Sequence, residues 1–239
     1  MLEIKNVTKK FGSFTAVNNL NLHVKAGDFF GFLGQNGAGK TTTIKMISGL
    51  YNATSGSILI NGYDIYKDPI KAKSLIGYIP DQPFIYEKLT GREFLFFSGG
   101  LYSIEKKKLK KIINEVIEKL EIGDWVDKRT EEYSQGMKQR ITIASSLLHD
   151  PKLLVVDEPM VGLDPQSALI VKNILKEKAE NGAAVFMSTH SLNVAEEICT
   201  RIGIIKDGNM IFSDAREVLE TIKGSDHHSL ESLFLHLTK

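Results

Sequence analysis

This 239-residue sequence has no long apolar run, no pair of cysteines and no imbalance of charge, and each absence removes a class of protein. Its 30 basic residues nearly cancel its 29 acidic ones, so bulk charge favours neither nucleic acid nor an anionic membrane surface as partner. The longest apolar stretches, such as that around Phe94 to Tyr102, fall far short of the roughly 18 residues needed to span a bilayer. The start, Met1 to Lys10, lacks the unbroken apolar segment of a secretory signal, which predicts a cytosolic address. The single cysteine, Cys199, can form no intramolecular disulfide and reads as a small packed residue. Internal repeats and low-complexity linkers are missing as well.

What is present is an alternation of short apolar segments with helical patterns. Leu2 to Val24 reads as antiparallel strands. Phe29-Phe30-Gly31-Phe32-Leu33 reads as a buried strand feeding a Gly-rich turn, and after Lys40 the spacing of Ile44, Ile47 and Leu50 predicts a helix. Short strands are expected at Ser57 to Ile60 and Ile76 to Ile79. Between Pro83 and Asp150 the pattern turns helical, most clearly where Leu109, Ile112, Ile113, Val116, Ile117 and Leu120 form one stripe. The lysines at 106–108, 110 and 111 lie opposite that stripe and read as a solvated face. From Leu153 strand and helix alternate again, which predicts a parallel α/β core interrupted by a helical piece. A tail from about Ala215 is expected to end in a short helix with Leu230, Leu233, Phe234 and Leu237 on one face.

Four constellations carry chemistry. The first, Gly34-Gln35-Asn36-Gly37-Ala38-Gly39-Lys40-Thr41, with Thr42 behind it, stands between a buried strand and a helix. Its glycines let backbone N–H groups turn toward phosphate oxygens, the helix start adds partial positive charge, Lys40 meets the β- and γ-phosphates, and the Thr41 hydroxyl can ligate Mg²⁺. This predicts ATP as ligand. The second is the strand Leu153 to Val156 ending in Asp157 and Glu158; at a strand end Asp157 is suited to hold Mg²⁺, and Glu158 to polarise an attacking water. Third, the strand Ala183 to Ser188 leads to His190, a donor toward the γ-phosphate or its water. Fourth, Ser134 and Gly136 open another helix and make a second anion-binding end. The tail pair His227-His228 lacks a third ligand and is a poor metal site.

In this order the segments resemble the ATPase subunits of ABC transporters, over nearly the whole chain. The resemblance implies a P-loop NTPase fold of ABC type: a mixed, mostly parallel sheet core (1–82 and 151–214) with an N-terminal antiparallel β-subdomain, an inserted helical subdomain (83–150) and a tail (215–239). It implies that Gly34 to Thr41 is the Walker A loop, Leu153 to Asp157 the Walker B strand, Glu158 the catalytic glutamate and His190 the switch histidine. Gly162-Leu163-Asp164 matches the D-loop, and Phe11 matches the aromatic that stacks on adenine. Tyr133 to Met137 is similar to the signature Leu-Ser-Gly-Gly-Gln, departing from it at Gln135 and Met137. The metal-linked glutamine normally follows the proline directly, but here Asp81 takes that place and Gln82 comes one later. Both are candidates.

The resemblance further implies a head-to-tail dimer that closes on ATP, with the signature of one copy over the nucleotide of the other. It also implies a separate membrane-spanning permease docking near Asp81 to Tyr102, where Phe84, Tyr86, Phe94, Phe96, Phe97 and Tyr102 cluster. The subunit would then sit on the inner face of the cell membrane. Gly-Met-Lys-Gln-Arg after Ser134 and Gly-Leu-Asp-Pro in the D-loop are closest to ABC-2-type exporters. A soluble ABC ATPase acting on ribosomes or DNA is the competing class, but such proteins usually carry two cassettes or a long coiled-coil insertion. A small-molecule kinase or GTPase shares only the phosphate loop, and no Asn-Lys-x-Asp guanine-reading motif is present.

Overall fold

The computed structural model describes residues 1–215 together with 230, 231 and 234. Two sheets organise them. A four-stranded antiparallel sheet has the order β2-β1-β4-β5, from β1 (Leu2–Phe11), β2 (Phe14–Val24), β4 (Ser55–Ile60) and β5 (Tyr63–Asp64). A six-stranded sheet has the order β10-β9-β3-β8-β7-β6, from β3 (Phe29–Leu33), β6 (Ile76–Ile79), β7 (Leu153–Asp157), β8 (Ala184–Thr189), β9 (Arg201–Lys206) and β10 (Asn209–Ala215). Its strands pair in parallel except for β10, which returns antiparallel on β9.

The unbroken apolar character of β3, β7 and β8 follows from burial on both faces. Successive side chains alternate across the sheet. Phe30, Phe32, Val155 and Phe186 face one core, shared with the antiparallel sheet and helix α1 (Lys40–Ile47). Phe29, Leu33, Val156 and Met187 face a second core, shared with the helices on the other side. Phe186 stands between Phe30 and Phe32, at ring-centroid distances of 5.7 and 5.2 Å. Gly31 has no side chain because a Cβ there would lie 2.7 Å from the sulfur of Cys199, which is buried in packing as expected.

The helical pattern between Pro83 and Asp150 resolves into α3 (Gly91–Leu101), α4 (Lys106–Lys119) and α5 (Gln135–Leu147). Helix α3 begins on a reciprocal capping box between Thr90 and Glu93. In α4 the stripe is buried at Leu109, Ile113, Val116 and Ile117, while the five lysines opposite are exposed. Helix α6 (Pro165–Glu180) follows β7, and α7 (Leu192–Ile198) follows β8.

Several short elements escaped the sequence reading. The two-residue β5, the five-residue α2 (Pro69–Lys73) and the returning strand β10 carry too little periodicity to stand out. Leu50, counted on the α1 stripe, lies beyond that helix and is exposed. In the tail, Leu230 is buried and Phe234 packs against the second core; Leu233, Leu237, His227 and His228 lie outside the described residues. Among the described residues no helix is long and apolar enough to cross a membrane.

Candidate functional site

Neighbouring parallel strands deliver their C-terminal ends to one edge of the large sheet, where ligands of open α/β sheets bind. The order β3-β8-β7-β6 places four segments side by side: the Gly-rich loop after Leu33, His190 after Thr189, Asp157 with Glu158, and Asp81 with Gln82. They line a cavity of about 670 Å³ that contains Asn36, Gly37, Gly39, Lys40, Thr41, Thr42, Asp81, Gln82, Asp157, Glu158 and His190.

The loop enters α1 at Gly39 with φ 109°, in the region glycine adopts without steric penalty. No side chain caps α1, so its first N–H groups remain for a ligand. Lys40 is only 7% exposed. Its Nζ donates to the loop's own carbonyls, Gly34 O at 2.7 Å and Gln35 O at 3.2 Å. Burial pushes its pKa down, against the opposing pull of Glu158 and Asp157.

Asp157 is buried at the end of β7. Ser188, its register partner on β8, donates to Oδ1, while Oδ2 has no hydrogen-bond partner. Burial pushes its pKa up, against the hydrogen bond from Ser188 and with Asp81 and Glu158 adding to the rise. A buried carboxylate oxygen with no partner, beside the Thr41 hydroxyl, is a hard-oxygen donor set of the kind magnesium takes. Tyr78, in β6, is pushed up to about 12 by burial and by the same two carboxylates, Asp157 and Asp81.

Glu158 has φ 48°, an unfavourable conformation for a residue with a Cβ. Its N–H is tied to Ser188 O at 3.2 Å, which helps hold the turn. The turn swings the carboxylate out of the strand line to meet His190, with Nδ1 and Oε1 2.8 Å apart. Two side chains 32 residues apart in sequence thus form one unit at the cavity wall.

The other expected ligands stand elsewhere. Phe11 does not line the cavity: its ring packs edge-on against Tyr51 at 5.7 Å, with the Lys9 ammonium 4.8 Å from its centroid. Phe14 and Ala16 form that wall instead, and neither has a motif that marks it in the sequence. Gly34 and Ala38 belong to the loop but contribute to its back. Ser134 caps α5, accepting from Met137 N at 3.3 Å, and neither it nor Gly136 reaches the cavity. Asp164 caps α6 through Ser167 N at 2.9 Å and Ser167 Oγ at 2.5 Å, bonds that hold its pKa down. Gln135, a departure from the signature, lines the cavity and packs over Gly162, where a Cβ would lie 3.1 Å from its Cγ.

Beyond the cavity, Phe94 is buried in the helical core, whereas Phe84 is 80% exposed. Phe84, Tyr86 and Phe97 form an exposed edge-to-face cluster, with centroids 5.9 and 5.3 Å apart. Tyr102 stacks on His149 at 3.7 Å.

Comparison with known proteins agrees with this geometry. The model of the family described as ABC transporter matches residues 17–161. The linearmycin resistance ATP-binding protein LnrL of Bacillus subtilis (strain 168) is 41% identical over 226 residues, covering 95% of this chain and 73% of that protein. A solved ATP-binding subunit of an ABC transporter superposes with TM-score 0.93 at 30% identity over the full length of both chains. A dimeric ATP-binding cassette in a post-hydrolysis state with ADP and Pi gives TM-score 0.81 at 27% identity, covering 90% of this chain and 98% of that one.

Proposed function

Since the chain belongs to the ABC transporter family and is an ATP-binding, ATP-hydrolysing subunit, we propose that two copies close head to tail on ATP and drive a separate membrane permease, working as an exporter. The observation that carries the reading is the cavity in which the phosphate loop faces the Glu158–His190 pair, while Ser134 and Gly136 of the second helix start stay outside it. A γ-phosphate bound by one copy is completed by Ser134 and Gly136 of the other.

In this mechanism amides of the loop and of the first turn of α1, together with the Lys40 ammonium, hold the β- and γ-phosphates. Lys40 exchanges its two loop carbonyls for phosphate oxygens, stronger partners for a cation. Thr41 and Asp157, with Gln82 or, in its place, Asp81, would hold magnesium, which would neutralise charge on the phosphates. Glu158 accepts a proton from the attacking water. His190 keeps that carboxylate in place through Nδ1 and presents its other ring nitrogen to the γ-phosphate region. Phe11, once its ring leaves Tyr51 and turns toward the cavity, supplies a face for adenine, and Asp164 meets the second copy. Binding favours the closed pair and hydrolysis releases it.

The exposed cluster Phe84, Tyr86 and Phe97 lies in the Asp81–Tyr102 segment proposed to receive a cytoplasmic helix of the permease. Residues 1–82 and 151–214 act as the nucleotide-binding core, 83–150 as the helical arm and 215–239 as a tail. The subunit works in the cytoplasm, held at the inner face of the membrane by the permease. The name of the Bacillus subtilis relative, a resistance protein, supports export.

Mixing inactive variants tests the arrangement. Lys40→Ala and Ser134→Ala subunits should each be inactive alone, yet their mixture should regain ATPase activity, because a mixed pair contains one intact composite site. A mixture as inactive as its parents would overturn head-to-tail sharing. Purification from gently solubilised membranes tests the partner: a co-eluting multi-span protein supports the reading, and ribosomes or DNA would overturn it.

A further inference from the structure

The turn joining β9 to β10 lies directly behind the phosphate loop. Asp207 (φ 47°) and Gly208 (φ 77°) are both left-handed, as a two-residue hairpin turn of type I′ demands. The Gly208 amide donates to Ala38 O at 3.0 Å, and Gly208 O accepts from Asn18 N at 2.8 Å. Asn18 Nδ2 donates to Asn209 Oδ1 at 3.0 Å, fastening β2 to the same turn.

The packing around these bonds leaves no slack. A Cβ on Gly34 would lie 2.5 Å from Ile205 O, and one on Gly39 would lie 2.5 Å from Ala16 O. A Cβ on Gly208 would lie 2.9 Å from that same Ala16 carbonyl. The loop glycines therefore serve a second purpose besides turning amides toward phosphate: they let the loop sit flat on the hairpin and on β2.

One peptide group shows what this brace does. A trans peptide points its C=O and the following N–H in opposite directions. When Gly208 draws the Ala38 carbonyl backward, the Gly39 N–H is turned forward toward the cavity that Gly39 lines. A phosphate is held by an N–H and repelled by a carbonyl oxygen. Gly37 (φ 82°) and Gly39 (φ 109°) flank this segment and can tolerate the reversed peptide.

We propose that Gly208 is a positioning residue for ATP: its amide, from the C-terminal hairpin, holds the Ala38–Gly39 peptide in the orientation that binds phosphate. The inference rests on the reading of residues 34–42 as the phosphate-binding loop. The turn leads into β10 and toward the tail, so the brace also ties that end of the chain to nucleotide affinity.

The test compares full-length Gly208→Ala with Gly182→Ala. Gly182 has φ 90°, and no atom lies within 4 Å of where its Cβ would stand, so its alanine carries the same kind of backbone strain far from the loop. ATPase kinetics and inhibition by inorganic tripolyphosphate, which has no base, are the readouts. Alanine keeps the N–H, but its Cβ, 2.9 Å from Ala16 O, pushes the turn away from Ala38 O, so Gly208→Ala should raise KM for ATP and Ki for tripolyphosphate by the same factor, about tenfold for one buried hydrogen bond, with kcat changed much less. Gly182→Ala should leave both unchanged. Should Gly208→Ala fail to fold, Asn18→Ala, which removes only the side-chain tether to Asn209, should move both constants together by about twofold to threefold.

A folded Gly208→Ala (or, in its stead, Asn18→Ala) with wild-type Ki for tripolyphosphate overturns the inference. So does a rise in KM for ATP alone, which would assign the effect to contacts with the base and not with the phosphates. A wild-type protein that tripolyphosphate does not inhibit would overturn the phosphate-loop reading, and this inference with it.

Discussion

Two helices in this molecule start at small residues and can receive an anion, but they are built differently. Helix α1 opens at Gly39 with no capping side chain, its loop backed by β2 and the β9–β10 turn, its first turn facing a cavity that also holds Asp157, Glu158 and His190. Helix α5 opens at Ser134, which caps the helix itself, and Ser134 and Gly136 lie outside that cavity. The first start faces the cavity of its own chain; at the second, Gln135 reaches that cavity while Ser134 and Gly136 do not. Ser134 Oγ accepts from Met137 N, so its hydroxyl proton remains available as a donor, as the proposed head-to-tail closure requires. A shared site therefore need not have two flexible halves, since both can be preformed and separate until association.

The contrast is most severely tested at the chemistry. Glu158→Gln keeps the shape of the turn but removes the base, so turnover should fall by about 10²–10⁴-fold. An ATP-bound dimer should accumulate, read by size-exclusion chromatography with light scattering. A variant that stays monomeric with ATP and hydrolyses at the normal rate would refute the shared site.

Ser134→Ala probes the second helix start alone. Turnover should drop about 100-fold, as when one preorganised donor to a developing charge is lost. Nucleotide affinity of the isolated subunit should hold, while loss of the cap lowers stability by about 1 kcal/mol in chemical denaturation. Lys40→Ala is the counterpart on α1. It should weaken nucleotide binding by the single subunit about 10- to 100-fold by calorimetry, the size of a charge-assisted hydrogen bond. If Ser134→Ala weakened single-subunit binding as much as Lys40→Ala, the two starts would not be separate.

The smallest expected effect concerns the raised pKa of Asp157. In the folded protein this carboxyl keeps its proton to higher pH than when unfolded, so stability falls as pH rises from the ordinary carboxylate range through the raised value. Asp157→Asn removes that charge. In metal-free, nucleotide-free melts at neutral pH it should be more stable than wild type, with the advantage fading in acid, while activity is lost. Equal stability at both pH values would mean the buried charge imposes no strain of its own.

Much of this was legible because its signals are local. The glycines of the loop, the apolar run ending in Asp157 and Glu158, and the stripe of α4 each announce an element within a dozen residues. The ends of β3, β7 and β8 could be placed on one edge from the alternation of strand and helix, since parallel strands run the same way. The capping role of Ser134 was likewise readable from a serine before a helical pattern. Less legible were Phe14 and Ala16, which line the cavity beside the loop, where Phe11 does not. Ring placement depends on the bulged register of β1 against β2 and on the Tyr51 ring. No local pattern encodes that.

Which residues are candidates for the chemistry, and the order in which strands and helices deliver them, was legible at the level of sequence, because backbone propensity, apolar period and glycine placement act over short spans. It took the tertiary structure to pair Glu158 with His190, to leave Asp157 an oxygen without a partner, and to stand Gly208 behind Ala38. Those are relations between segments about 30 to 170 residues apart, fixed by which strands lie side by side and how closely two backbones can approach where a glycine leaves room.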